Sequence, residues 1–246
     1  ISSGVPSVAS SVSTADHGGF SIGTFTATSG AFTVAHGLTR DIGMLWIKDR
    51  SSSGGYWVWS DQLGATTNYL NMNTNLDTYT DGGTNVWNGV HPGASSPSTG
   101  VFSTTGTWLS SNSHVFYAFA RTPGLIAMGT YIGNGVADGT SVVVDDDGAG
   151  FKPAFLLIKE YDGSNNGSWF IRDNARNKYN PTNLDLYAHH HDDEYTDNNS
   201  DIDFTANGFK IRSTAGGYNQ ADKKNLYLAF AETPFGGDTV AQGRAR

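Results

Sequence analysis

A chain of 246 residues with 31 glycines, 12% aromatics and only 15% charged residues has room for one large β domain or two ordinary ones. It is too poor in Glu, Lys, Leu and Ala for a helical protein. A formal net charge of −8 with scattered basic residues excludes the basic stripe of a nucleic-acid binder. No apolar run approaches the roughly 20 residues that a membrane-spanning helix needs.

Zero cysteines remove disulfides and thiolate metal sites without fixing a compartment. Three glutamates, Glu160, Glu194 and Glu232, stand against twenty aspartates. Asp caps turns and Glu favours helix interiors, so the ratio again points to strands and loops. No secretory leader is visible, and a start at Ile1 rather than Met fits a fragment or a processed product.

In chain order, residues 1–17 (ISSGVPSVASSVSTADH) are small and polar and are expected to form a linker. GFSIGTFTATSG follows, then AHGL, where His36 precedes a turn glycine and is expected to make a structural hydrogen bond. MLWIK at 44–48 is a continuous apolar run, as for a strand at a sandwich centre. WVWSD at 57–61 alternates, placing Trp57 and Trp59 on one face and Tyr56 and Val58 on the other. Trp87 lies in the loop DGGTNVWNGVHPG. FYAFARTP at 116–123 ends on Thr-Pro, which stops a strand because proline cannot donate to the ladder.

The order then recurs. YLAFAETP at 227–234 shares five of eight positions with FYAFARTP, and FLLIKE at 155–160 matches MLWIKD at the same offset. Trp169–Asp173 matches Trp57–Asp61, Gly129–Tyr131 matches Gly23–Phe25, and Phe204–Gly208 echoes Phe102–Gly106. Changes of offset fall in Gly/Asp/Asn-rich stretches, where loops absorb insertions cheaply. Asn183–Asp193 has the composition of a possible helical turn. Short strands without intervening helices predict an all-β protein. Its two tandem antiparallel β-sandwich (jelly-roll-like) domains, at 18–123 and 124–235, are related by internal duplication, and a C-terminal tail covers 236–246.

GFSIGTFTATSG, the LWIK strand, WVWSDQLG, NYLNMN, FYAFARTPG, MGTYIGNGVADG, GFKPAFLLIKE, WFIRDNARNKYNP and IDFTANGFKIRST together resemble a repeated β-domain of unassigned function. That domain is found in virion structural proteins of tailed bacteriophages, in tail fibres and head appendages. The resemblance implies a non-enzymatic virion protein that contacts other virion proteins, forms a homo-oligomer and touches host-surface glycan. It implies no nucleic-acid partner, no membrane insertion and no cofactor. The alternatives are a capsid decoration (cement) protein and a polysaccharide depolymerase. The chain departs from the family's pattern at YAHHHDDEYTDNN, residues 187–199.

The candidate residues follow from that picture. Exposed aromatic faces stack on the C–H side of sugar rings, which singles out Trp87, Tyr79, Tyr187, His189 and His191 as ligand-binding candidates. Trp46, Trp57 and Trp108 are expected in the core, opposite Leu157, Trp169 and Phe209, and Trp59 joins them. The run His189–Glu194 carries metal-ligating side chains, but adjacent residues cannot all converge on one ion, and no metal is expected. Asp145–Gly148 reads as a solvated acidic turn rather than a Ca²⁺ loop, with His36 aligned to Asp147. No G-x-S-x-G elbow and no catalytic residue is found. Glu160 and Glu232 align with Asp49 and Arg121, which predicts surface positions for both.

Overall fold

In a computed structural model, the described residues are 6–15, 19–53, 55–64, 68–80, 100–105, 109, 111–144, 150–162, 167–196, 199 and 201–233. The chain is nearly all β and divides into two compact units, Ile1–Asn71 with Thr78–Arg121, and Met72–Asp77 with Thr122–Arg246. No helix among the described residues is long and apolar enough to cross a membrane.

The first unit contains β1 (Ser10–Ala15), β2 (Phe20–Thr26), β3 (Ala31–Ala35), β4 (Met44–Asp49) and β5 (Tyr56–Ser60). A single 3-10 turn at Asp61–Leu63 follows, then β6 (Asn68–Asn71), β7 (Tyr79–Thr80), β8 (Val101–Thr105) and β9 (Ser113–Phe119). Among the described residues the named strands pair antiparallel, in the order β1-β2-β9-β4-β5-β6-β7, with β3 and β8 forming a separate ladder and a lone parallel bridge joining Val8 to Val34. Alternation aims Leu45, Ile47, Trp57, Trp59, Phe116 and Ala118 at Phe32, Val34 and Phe102 of that ladder, and these residues make one core. Phe102 meets Phe116 edge-on at 5.2 Å between centroids, an arrangement aromatic quadrupoles favour.

The second unit contains β10 (Ile126–Ile132), β11 (Ser141–Val143), β12 (Pro153–Glu160), β13 (Trp169–Asp173), β14 (Leu184–Tyr187) and β15 (Tyr195–Thr196). It ends with β16 (Ile202–Thr205), β17 (Gly208–Ile211), the single-turn helix α1 (Gly216–Asn219) and β18 (Lys224–Ala231). Its main sheet runs β10-β18-β12-β13-β14-β15 and its smaller one β11-β17-β16. Leu156, Ile158, Phe170, Tyr227 and Ala229 close on Ile202, Phe204, Phe209 and Ile211. Apart from β1, the two main sheets thread their strands in corresponding order.

Several expectations change. The stretch read as a linker carries β1, which adds six residues to the edge of β2 and reaches the facing ladder through Ser10 Oγ to the Ala35 carbonyl at 3.0 Å. A Ser/Thr/Val segment needs little apolar content to pair, because the ladder is made by backbone groups. Residues 184–187, read as a possible helical turn, form a strand whose side chains alternate, and the short helix lies instead at Gly216–Asn219.

Trp57 and Trp59 are in the core as expected, at 5% and 0% exposure. Trp46 is not. It is half-buried on the opposite face of β4, beside Phe119 at 4.8 Å and Tyr117 at 6.1 Å, because one residue of register sends a strand side chain to the other face. Trp108 lies outside the described residues. The position opposite Val142 in the second unit is held by Phe209, and that opposite Val34 in the first by Phe102.

His36 bonds through its backbone N–H to the Gly100 carbonyl; Asp147, to which it aligns in sequence, falls outside the described residues. His36 Nδ1 accepts the Leu38 N–H at 3.2 Å, the structural bond expected of it.

Candidate functional site

The ring-bearing segment singled out in the sequence sits at the β13–β14–β15 edge of the second unit. β14 pairs Tyr187 with Phe170 and Leu186 with Ile171, and Asp185 stands opposite Tyr195 of β15. Asp185 and Tyr187 share a face of the strand, as period-two alternation requires.

Asp185 is fully buried and forms an ion pair with Arg172, itself 1% exposed. Arg172 also donates through Nη1 to the Leu184 carbonyl at 3.2 Å. A buried charge pair is tolerable only when further hydrogen bonds satisfy it, and here the supply continues outward. The Tyr187 hydroxyl lies 3.4 Å from Asp185 Oδ2 and hydrogen-bonds the Tyr195 hydroxyl. The result is a polar line from Arg172 through Asp185 and Tyr187 to the surface at Tyr195. Burial, the bond to Tyr195 and the charge of Asp185 push the Tyr187 phenol well above its ordinary range, so it is neutral at any physiological pH.

The rings are packed as well as bonded. Tyr218, Phe170 and Tyr187 meet edge-on in sequence, at 4.7 Å and 5.1 Å, which carries the core's aromatic stack out to Tyr195 at 5.8 Å. His189 meets Tyr187 edge-on at 5.8 Å, and His190 stacks on His191 at 5.7 Å and 14°. His189 Nδ1 accepts the Trp169 backbone N–H at 3.4 Å, which places its proton on Nε2. Burial, and then His190 and Lys159 nearby, hold His189 below the ordinary imidazole range. His190 Nδ1 is 2.6 Å from Asp192 Oδ2.

Arg176 pins the loops around this cluster. It pairs with Asp173 at 2.5 Å and Glu194 at 2.8 Å, and Nη2 donates to the Ile171 carbonyl at 3.0 Å. The turn after β13 is thereby tied to the loop before β15. Tyr195 is 41% exposed and Tyr179, in the preceding loop, 84%.

Of the sequence candidates, Tyr187, His189 and His191 come together here. Tyr79 is in β7 of the first unit, paired with Tyr69, and Trp87 lies outside the described residues. Sequence reasoning missed Tyr195 and the Arg172–Asp185 pair, and took His190 only as part of the metal-ligating run. The signal for Tyr195 was present: Tyr187 and Tyr195 flank a His/Asp run of turn-forming composition, a hairpin pattern. The buried pair gave no local signal, since Arg172 stands in a strand-end motif and Asp185 in an otherwise unremarkable LDLY.

A second polar cluster lies at the end of β12. Glu160, predicted at the surface, is fully buried, and neither carboxylate oxygen has a hydrogen-bond partner among the described residues. Burial drives its pKa up to about 7, partly countered by Lys159 and reinforced by Asp77 and Asp162. Lys159 is also fully buried. Its ammonium donates to the Asn75 carbonyl at 3.2 Å and to the Glu160 carbonyl, and burial lowers its pKa to about 8.

The corresponding place in the first unit is Asp49, opposite His114 as Glu160 is opposite Asn225. Asp49 accepts from the Ser51 N–H at 2.7 Å, the Ser52 hydroxyl at 2.7 Å and the Asn112 amide at 2.8 Å. Burial alone would raise it, but these bonds hold it below the usual carboxylate range. Glu232, also predicted at the surface, is exposed and pairs with Lys152 at 2.9 Å.

Among the described residues no three His, Asp or Glu side chains stand close enough together to hold a metal ion. A groove of about 340 Å³ in the first unit is lined by Ser10, Ser11, Thr24, Thr26 and Ser113 with Ala9 and Phe25. It presents hydroxyls and an aromatic edge but no acid, base or charged nucleophile. Comparison with curated proteins and with solved structures finds no match. A family model does match, across residues 2–234. The chain belongs to that family, described as Domain of unknown function (DUF7483).

Proposed function

We propose that this chain is a non-enzymatic structural module of a bacteriophage virion, displayed on a tail fibre or head appendage, whose ring cluster at residues 187–195 contacts host-surface glycan. The observation that carries the reading is the ring group of exposed Tyr195, His190 and His191 over half-buried Tyr187 and His189, held in place by a buried ion pair and an aromatic stack. Flat apolar rings edged by hydroxyls and carboxylates suit sugars, whose C–H faces stack while their hydroxyls hydrogen-bond. Rings fixed before binding lose little conformational entropy on contact. The virion context rests on the sequence resemblance.

The shifted acid Glu160 does not favour the depolymerase reading. It is sealed from solvent, whereas glycoside hydrolysis needs two carboxyl groups facing one bond in a cleft. Weak contacts of this kind gain strength when many copies are displayed on one particle. The test is competition: purified protein should block adsorption of phage to host cells. Rebinding to stripped capsid shells without such competition would instead establish the decoration reading, and release of reducing ends from host polysaccharide would establish the depolymerase.

A further inference from the structure

We infer that the ring cluster at residues 187–195 selects uncharged pyranose sugars and rejects anionic ones such as uronates and phosphorylated sugars. This rests on the glycan-contact reading above and names the chemistry it would take. The argument is one of charge supply. A site for an acidic sugar needs a cation free to meet it, usually an Arg with its fork unspent. Both arginines of the cluster are committed, which leaves the exposed Lys178, beside Tyr179 in the loop before β14, as the cation to set against the unpaired acids. Arg172 is buried against Asp185, and Arg176 bridges Asp173 and Glu194.

The acids outnumber them. Asp192 has only His190 as an ionic partner, at 2.6 Å, and Asp193 has no ion pair among the described residues. His189 is half-buried and accepts the Trp169 N–H on Nδ1, and burial lowers its pKa, all of which disfavour its charged form. The fringe beside Tyr195 and the His190–His191 stack is therefore net negative, and it repels a carboxylate or phosphate while offering lone pairs to sugar hydroxyls. The stacking surface is the exposed side of Tyr195. Its other side rests near Tyr187, whose hydroxyl line to Asp185 fixes the ring position. Selection comes from the repulsive fringe and affinity from the rings.

The experiment titrates the purified chain with neutral hexose and N-acetylhexosamine oligosaccharides and with uronate-containing and phosphorylated oligosaccharides of equal length, by calorimetry and ligand-observed NMR. Neutral sugars should bind and anionic ones should bind at least about ten-fold more weakly. Tyr195→Ala should weaken neutral-sugar binding about ten-fold while the circular dichroism spectrum keeps its native shape, and Tyr195→Phe, which keeps the ring, should bind neutral sugars nearly as well as the wild type. The double variant Asp192→Asn/Asp193→Asn should narrow the gap between neutral and anionic sugars. Equal or tighter binding of the anionic set, or failure of all sugars to bind, overturns the inference. The virion reading is judged separately, by adsorption competition, so that either can fail alone.

Discussion

Gly23 lies directly across the ladder from Phe116, and a Cβ at Gly23 would come within 2.5 Å of that ring. Gly129 stands in the same relation to Tyr227, with 2.8 Å to the phenol oxygen. In both sheets a glycine in the middle of a strand, normally a weakness, makes room for a large ring laid across the neighbouring strand. Gly23→Ala and Gly129→Ala should each destabilise by about 1–3 kcal/mol, the usual cost of overpacking, as read from urea unfolding midpoints. A neutral or stabilising alanine at either place would contradict the packing.

The Arg172–Asp185 pair makes a sharper prediction. Asp185→Ala leaves a buried guanidinium uncompensated and should cost about 3–5 kcal/mol. The double variant Arg172→Met/Asp185→Leu removes both charges and should recover much of that loss. Because the hydroxyl line to Tyr195 goes with Asp185, both variants should also loosen the β14–β15 hairpin, visible as faster amide exchange at Tyr187 and Tyr195.

Glu160 gives stability a pH dependence opposite to that of an ordinary ion-paired acid. Its folded pKa, about 7, lies above the ordinary 4.5, so the folded state holds a proton that the unfolded chain gives up. Its contribution is fully present below about pH 4.5 and is lost as pH rises through 7. The stability of the wild type minus that of Glu160→Gln should therefore fall as pH rises from 5 to 8, by about 2–3 kcal/mol. Taking the difference cancels His114 and His189, whose lowered pKa values act in the other direction over part of that range. A flat difference would mean Glu160 is solvated or partnered.

Lys159 behaves as the mirror case. Its folded pKa of about 8 lies below the ordinary 10.5, so its contribution is present above about 10.5 and lost as pH falls through 8. Lys159→Met should stabilise the protein at pH 7 and lose that advantage at pH 10.5, measured by chemical denaturation.

Asp49 supplies a control for Glu160. Its carboxylate is ionised and fully bonded, so Asp49→Ala should cost about 1–3 kcal/mol by orphaning the Ser51 and Asn112 donors. Asp49 itself stays ionised from pH 5 to pH 8, so any difference in the loss over that range should come from His114, whose imidazolium Asp49 favours and which makes the loss larger at pH 5.

Much of the β architecture was legible because strands announce themselves by alternation and turn residues. Trp57 and Trp59 fell on the predicted face, and β9 ends before Thr122-Pro123 as expected. What was hidden depended on partners far along the chain. β1 carries too little apolar content to read as a strand and is held by backbone pairing. Trp46 looks like core in a continuous apolar run, and only its register decides otherwise. Glu160 and Asp49 occupy equivalent strand-end positions, so their alignment suggested two surface acids; burial and the presence or absence of short-range donors separate them. At the ring cluster the sequence yielded Tyr187, His189 and His191 but not the buried pair beneath them, since nothing local links Arg172 to Asp185.

The six residues Met72–Asp77 precede β7 in the chain yet belong to the second unit, where the Asn75 carbonyl receives the Lys159 ammonium. The later half is thus not self-sufficient along the polypeptide. A recombination or truncation joint placed near residue 122 would deprive an interior cation of its acceptor. Shuffling should accordingly transmit both halves as one cassette, in keeping with a family match that runs unbroken through them.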